Sequence, residues 1–277
     1  MSSEKIAILG GGNMGRALVG GLLRRGVRPE HINVGEASQA TRTMLVHDFG
    51  VAASADNAKA VADATLLVLA VKPQEVAAAL APVASLLQRN RAIVLSVAAG
   101  VRIAAIEKWC GGDVSVVRAM PNRPALVGAG VTALFASVRV TDTARVRAES
   151  AMRAVGEVVW VRSEDELDVV TALSGSGPAY FFLLAEAMTQ ASVELGLEPE
   201  VARQLTVGTL HGAGMLARES NGDMARLRCE VTSKGGTTEA ALHVMEHGGF
   251  GKLVALAIEA ATQRGRQLAA QFGNDSP

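Results

Sequence analysis

At 277 residues the chain reaches the length at which one hydrophobic core usually stops growing, which predicts two domains. Its 27 Lys and Arg are cancelled by 27 Asp and Glu, which excludes a protein built to grip phosphate backbones or an anionic membrane surface; nucleic acid is not an expected partner. With 49% hydrophobic residues and 29 glycines but only 3% aromatics, it is too apolar to be disordered, and its core must be aliphatic with many tight turns and close backbone approaches.

The N-terminal stretch offers only the apolar run 6–9 before three glycines, too short for a signal-peptide core. Strand-like runs at 5–9, 32–34, 66–71, 92–97, 114–118 and 131–135 alternate with helical spacing at 13–25, 39–48, 73–87 and 101–110. Such alternation predicts an α/β fold with a parallel, doubly wound sheet of the Rossmann type. Residues 157–161 read as its last strand, and Ser163-Glu164-Asp165-Glu166 reads as a capping box opening a helical region. The boundary is therefore expected at 163, with a dinucleotide-binding domain over 1–163 and an all-α domain over 164–277. Helices are predicted over 166–174, 178–195, 200–218, 238–247 and 250–271. The 178–195 helix has little polar face and carries Tyr180, Phe181 and Phe182, three of the nine aromatics, so it is expected to be buried all round in a subunit interface. Residues 169–185 carry no charge, but Gly-Ser-Gly-Pro in their middle argues against a membrane span. Cys110 and Cys229 stand 119 positions apart with no ligand pattern near either, which points to a reducing, cytoplasmic setting without disulfides or zinc.

Gly10-Gly11-Gly12-Asn13-Met14-Gly15 fits GxGxxG between a strand and a helix. In that setting Gly10 permits the tight turn, Gly12 lets the backbone approach a pyrophosphate, and Gly15 lets the helix pack on the strand. The N–H groups at the helix start then bind the anion. Glu36, 21 residues after Gly15, is placed to accept from an adenosine ribose hydroxyl and to repel a 2′-phosphate. That predicts a preference for NADH over NADPH, although Ser38 and Arg42 stand nearby to accommodate a phosphate.

Further along, Ala70-Val71-Lys72-Pro73, Ser96-Val97-Ala98-Ala99-Gly100, Arg118-Ala119-Met120-Pro121-Asn122, Ser174-Gly175-Ser176-Gly177-Pro178-Ala179-Tyr180 and Ser233-Lys234-Gly235-Gly236-Thr237-Thr238 follow in order. Together they resemble the pyrroline-5-carboxylate reductase family over the whole chain. The resemblance implies an N-terminal Rossmann domain, a C-terminal helical domain that dimerises, and NAD(P)H-dependent reduction of 1-pyrroline-5-carboxylate to L-proline. It also implies Asn57 as a cofactor-side amide, where the bare residues read equally well as a helix cap.

The remaining segments agree with that reading. Ala70, Val71, Lys72 and Pro73 close the strand-like run 66–71 at the carboxyl edge, where ligands bind in such sheets, and Lys72 stands there as a candidate catalytic residue. Ala98 and Ala99 let the backbone lie against a nicotinamide, while Met120 and Pro121 end the strand that begins at 114 and Asn122 offers an amide. Ser233, Gly235, Gly236, Thr237 and Thr238 precede a helix and suit the substrate carboxylate. Thr238 is the candidate donor to the imine nitrogen.

Two departures from the family pattern bear on affinity. Lys234 replaces a usual Pro before the glycine pair, and Glu36 replaces a small or hydroxyl residue. The i, i+4 pair His243 and His247 lacks a third ligand, so no metal is expected. One rival is a β-hydroxyacid-type dehydrogenase, which needs a Lys or His base that residues 172–195 do not contain. The other is a non-catalytic nucleotide-binding regulatory protein.

Overall fold

The computed structural model of the chain describes residues 4–274. They divide into two compact units, one holding the chain up to Ser176 together with residues from Ala261 on, the other Gly177–Ala260. The division differs from the change of pattern at residue 163, because the first helical turns after the sheet and the end of the last helix belong to the sheet unit.

In that unit the elements run β1 (Ile6–Leu9), α1 (Asn13–Arg24), β2 (Ile32–Gly35), α2 (Gln39–Phe49), β3 (Ala52–Ser54), α3 (Asn57–Val61), β4 (Leu66–Leu69), α4 (Val76–Leu80) and α5 (Ala84–Asn90). They continue with β5 (Ile93–Ser96), α6 (Ile103–Trp109), β6 (Ser115–Met120), β7 (Gly130–Ala136), α7 (Asp142–Met152), β8 (Gly156–Trp160) and α8 (Glu166–Val170), which passes into a π-helical turn, Thr171–Gly175. The expected strands are present, and β3, α3 and α7 are added to them. The expected helix over 73–87 is broken into α4 and α5 by a 3-10 turn that contains Pro82.

The strands form one sheet in the order β3-β2-β1-β4-β5-β6-β7-β8. Both faces are covered: Ile6 and Ile8 of β1 enter one hydrophobic cluster, Ala7 and Leu9 the other. This is why the inner strands read as continuous apolar runs instead of alternating ones. One pair departs from the expected parallel sheet, since β6 and β7 are antiparallel. The link between them holds only the 3-10 turn Arg123–Val127, too short to carry a crossover back to the start of a parallel strand.

The expected capping box at Ser163 does not form. The N-cap of α8 is Asp165, and Glu166 accepts the N–H of Arg162 at 3.0 Å. Glu164 is committed elsewhere: it accepts from buried Arg118 at 2.8 Å and from the Ile103 N–H at 2.7 Å.

The second unit contains α9 (Gly177–Glu194), α10 (Pro199–Glu219), α11 (Met224–Glu230), α12 (Thr237–His247) and the first part of α13 (Phe250–Asn274). Within one chain the helix expected in a subunit interface, α9, leaves Phe181, Phe182 and Leu183 59%, 58% and 67% exposed. The break expected at Gly-Ser-Gly-Pro is slight: the π-turn ends at Gly175, Ser176 is a bend, and Gly177 and Pro178 open α9, so that Glu166–Glu194 makes a helical run long and apolar enough, by length and composition alone, to cross a membrane.

Candidate active site

Strand order reverses at β1, which lies between β2 and β4, and in open α/β sheets ligands bind at the carboxyl ends of the strands beside such a reversal. Two hydrogen bonds tie the chain there: the Ala70 N–H donates to Leu9 C=O at 2.7 Å and the Gly10 N–H to Gly35 C=O at 2.8 Å. Gly10 has φ +102, and a Cβ on it would lie 2.6 Å from the carbonyl of Ala70. On Gly15 a Cβ would lie 2.0 Å from the Gly10 oxygen. Gly12 differs from both, because a Cβ there meets nothing within 4 Å. It is the N-cap of α1 and no side chain caps it, so the first-turn amides of Asn13 and Met14 face an open cradle of the kind a dinucleotide's diphosphate requires.

The other expected cofactor residues gather at the same edge. Ala70, Val71, Lys72 and Pro73 follow β4 directly, Ala98 and Ala99 follow β5, Met120 closes β6, and Pro121 comes next. Lys72 is exposed, and its N–H donates to the Glu75 carboxylate at 3.3 Å. Asn57 opens α3 but does not cap it; Asp56 does, accepting from the Ala58 N–H at 2.9 Å. The Asn57 amide instead lies against Gly35 at the end of β2 and donates to Ala79 C=O at 3.4 Å.

Glu36 follows β2. Its two carboxylate oxygens accept from the Gly11 N–H at 2.7 Å and the Ser38 N–H at 2.8 Å. Arg42 donates to the carbonyls of Glu36 and Ala37 at 2.7 and 2.6 Å. The cation that the sequence offers to a ribose phosphate is thus turned onto backbone oxygens.

Asn122 does not offer a free amide. It accepts from the Val131 N–H at 3.0 Å and donates to Ser174 C=O at 3.2 Å, which holds the π-turn to the end of β6. Two residues before it on that strand, Met120 lies so close to Gly175 that a Cβ there would sit 2.6 Å from the Met120 methyl. Two further back, Arg118 is 5% exposed and pairs with Glu164 at 2.8 Å. Burial pulls the Arg118 guanidinium below its ordinary pKa, and Glu164 opposes that pull. One face of β6 therefore grips residues 164–175. The residue pattern gave no sign of this clamp beyond an arginine in an apolar strand.

In the helical unit Ser233, Gly235, Gly236, Thr237 and Thr238 form one turn at the start of α12. Gly235 takes φ +71, and the Gly236 N–H donates to Ser233 C=O at 3.0 Å. Gly236 is the N-cap, with no capping side chain, so the hydroxyls of Ser233, Thr237 and Thr238 are not spent on the helix end. A residue the sequence reading passed over anchors the turn ahead of the helix: Glu239 accepts the Gly235 N–H at 2.7 Å. His243 and His247 stack with ring centroids 3.9 Å apart, and among the described residues no group of three or more His, Cys, Asp or Glu could hold a metal.

Residues 164–268 match the family profile described as pyrroline-5-carboxylate reductase dimerisation, and residues 5–100 match that of NADP oxidoreductase coenzyme F420-dependent. The pyrroline-5-carboxylate reductase of Pseudomonas aeruginosa is 43% identical over 273 residues, spanning 99% of this chain and all of that one. A pyrroline-5-carboxylate reductase structure from Coxiella burnetii superposes with a TM-score of 0.93 at 42% identity, covering 96% of this chain and 99% of its own. The Plasmodium falciparum pyrroline carboxylate reductase, solved with NADP bound, gives a TM-score of 0.83 at 26% identity over 97% and 99% of the two chains. On sequence and structure together, the chain belongs to the pyrroline-5-carboxylate reductase family.

Proposed function

We propose that the chain reduces the C=N bond of 1-pyrroline-5-carboxylate to give L-proline, using NADH or NADPH, in the cytoplasm. One observation carries the reading. In a chain that aligns end to end with such reductases, two glycine turns each open a helix whose N-cap is a glycine without a capping side chain. Uncapped first-turn amides hold anions without side-chain charge. The turn of residues 10–15 suits a diphosphate, and that of residues 233–238 suits a carboxylate.

When bound, the coenzyme supplies a hydride to the imine carbon. In this reading the amides after Gly12 hold its diphosphate and Glu36 accepts from its ribose, while Asn57, residues 70–73, Ala98, Ala99, Met120 and Pro121 line its path. The amides of Thr237 and Thr238 with the Ser233 and Thr237 hydroxyls hold the substrate carboxylate. As charge leaves the C=N bond toward nitrogen, the Thr238 hydroxyl donates a hydrogen bond to that atom. A hydroxyl is too weak an acid to deliver the proton at neutral pH, so the proton comes from water or from an imine already protonated. Lys72 is the second catalytic candidate, an exposed ammonium at the carboxyl end of β4. Most of the rate acceleration comes from positioning.

The Glu36 carboxylate, held by two N–H groups while Arg42 faces carbonyls, supports a preference for NADH. The apolar, exposed side of α9 supports self-association into a dimer or a larger homo-oligomer. The test is coenzyme oxidation with 1-pyrroline-5-carboxylate, NADH against NADPH. Glu36→Ser should move the ratio of their kcat/KM values about tenfold toward NADPH. No oxidation of either coenzyme would overturn the proposal and favour a regulatory nucleotide-binding protein.

A further inference from the structure

We infer that Glu239 is the positioning residue of the turn formed by residues 233–238, an inference that rests on reading this turn as the substrate-carboxylate cradle. Packing does not fix Gly235: it sits at φ +71, and a Cβ there would meet nothing within 4 Å. Among the described residues two hydrogen bonds close the turn ahead of the helix's own ladder, which begins with the Ala240 N–H donating to Gly236 C=O at 3.2 Å. One is internal to the backbone, from the Gly236 N–H to Ser233 C=O at 3.0 Å. The other reaches in from α12, where Glu239, its third residue, accepts the Gly235 N–H at 2.7 Å.

A helix start of this kind is normally capped by a Ser or Thr hydroxyl. Here the first-turn amides stay uncapped, and a carboxylate one turn into the helix holds instead the Gly235 N–H, which lies ahead of the helix. Its effect is to fix the left-handed residue while leaving the Ser233, Thr237 and Thr238 hydroxyls and the first-turn amides for a ligand. The same side chain carries a cost, since a negative charge one turn from the cradle opposes an anionic ligand. Acceptor and charge therefore act on substrate affinity with opposite signs, and Gln separates them because its carbonyl still accepts while the charge is gone.

The experiment is steady-state kinetics at saturating coenzyme for the wild-type chain, Glu239→Ala and Glu239→Gln, with coenzyme Kd measured by titration as a check on the sheet unit. Glu239→Ala should raise KM for 1-pyrroline-5-carboxylate about tenfold. Its kcat should change by less than about threefold and its coenzyme Kd should stay put, as expected when uniform binding is lost. Glu239→Gln should show a KM at or below that of the wild type. Ala and Gln raising KM alike, or Ala leaving it unmoved, would overturn the inference. If the wild-type chain oxidised no coenzyme, the proposed reaction would fall, yet calorimetric titration of the three chains with L-proline would still decide the role of Glu239 by the same order of affinities.

Discussion

The two glycine turns solve one problem by different means. Residues 10–15 are shaped by what surrounds them: Gly10 presses on Ala70 of the neighbouring strand end, Gly11 on Leu45 of α2, and Gly15 on the Gly10 carbonyl. Residues 233–238 are shaped by themselves, with no neighbour close to Gly235 and only Ser233 close to Gly236. The first turn inherits rigidity from a close-packed core, which tolerates no added methyl at Gly10, Gly11 or Gly15. The second depends on a backbone bond and one side-chain acceptor, so its shape costs the fold little and is correspondingly easy to alter. A protein that holds a large, constant coenzyme at one anion site and a small acid at the other gains from this division.

The sharpest way to break the comparison is a methyl group at Gly15. A Cβ placed 2.0 Å from a carbonyl oxygen forces α1 off β1. Gly15→Ala should therefore cost about 3 kcal/mol. For a chain of this size that is a fall of roughly 6–12 °C in Tm by calorimetry, accompanied by loss of coenzyme binding. A wild-type Tm would show that the first turn is not set by packing. At the second turn the expected damage is to catalysis alone. Thr238→Ala should lower kcat/KM about 30-fold, the worth of one hydrogen bond to a developing charge, with Tm and coenzyme Kd unchanged. Wild-type turnover would remove Thr238 from the mechanism.

What could be read from the residues follows the same divide. The first turn was legible because its requirements are local and repeated: an apolar strand, three glycines at fixed offsets, and a helix. The second was legible mainly through family resemblance, and its anchoring acceptor was missed although a Glu at the third helical position is a recognisable signal. Elsewhere the misreadings come from contacts remote in sequence. Ser163 has the local grammar of a cap, but Glu164 is drawn to Arg118, 46 positions back, and the helix starts from Asp165 instead. The reversal of β7 follows from a link too short to cross the sheet, and strand periodicity says nothing about direction. The aromatic face of α9 reads as wanting cover, and its own chain leaves Phe181 and Phe182 more than half exposed. The clamp made by Arg118, Met120 and Asn122 needed the coordinates, because its partners lie in a segment that the residue pattern assigns to another domain.

The two cysteines sharpen the contrast at the smallest scale. Cys110 lies in the sheet unit just after α6, fully buried, and burial reinforced by the Glu107 charge pushes its thiol up to about 12. Cys229 lies exposed in α11, four positions before Ser233. A thiol reacts as its thiolate, so raising the pKa removes the reactive form at any pH well below that value. At pH 8 the folded chain should take up one equivalent of a thiol reagent quickly, at Cys229, and a second only as fast as the sheet unit opens. In Gly15→Ala that second phase should accelerate while the first keeps its rate, because the strain is confined to packing that Cys229 does not share. Equal labelling of both thiols in the folded wild-type chain would mean that the sheet unit is no more rigid than the helical one, and the distinction between a turn held by its surroundings and a turn held by itself would lose its basis.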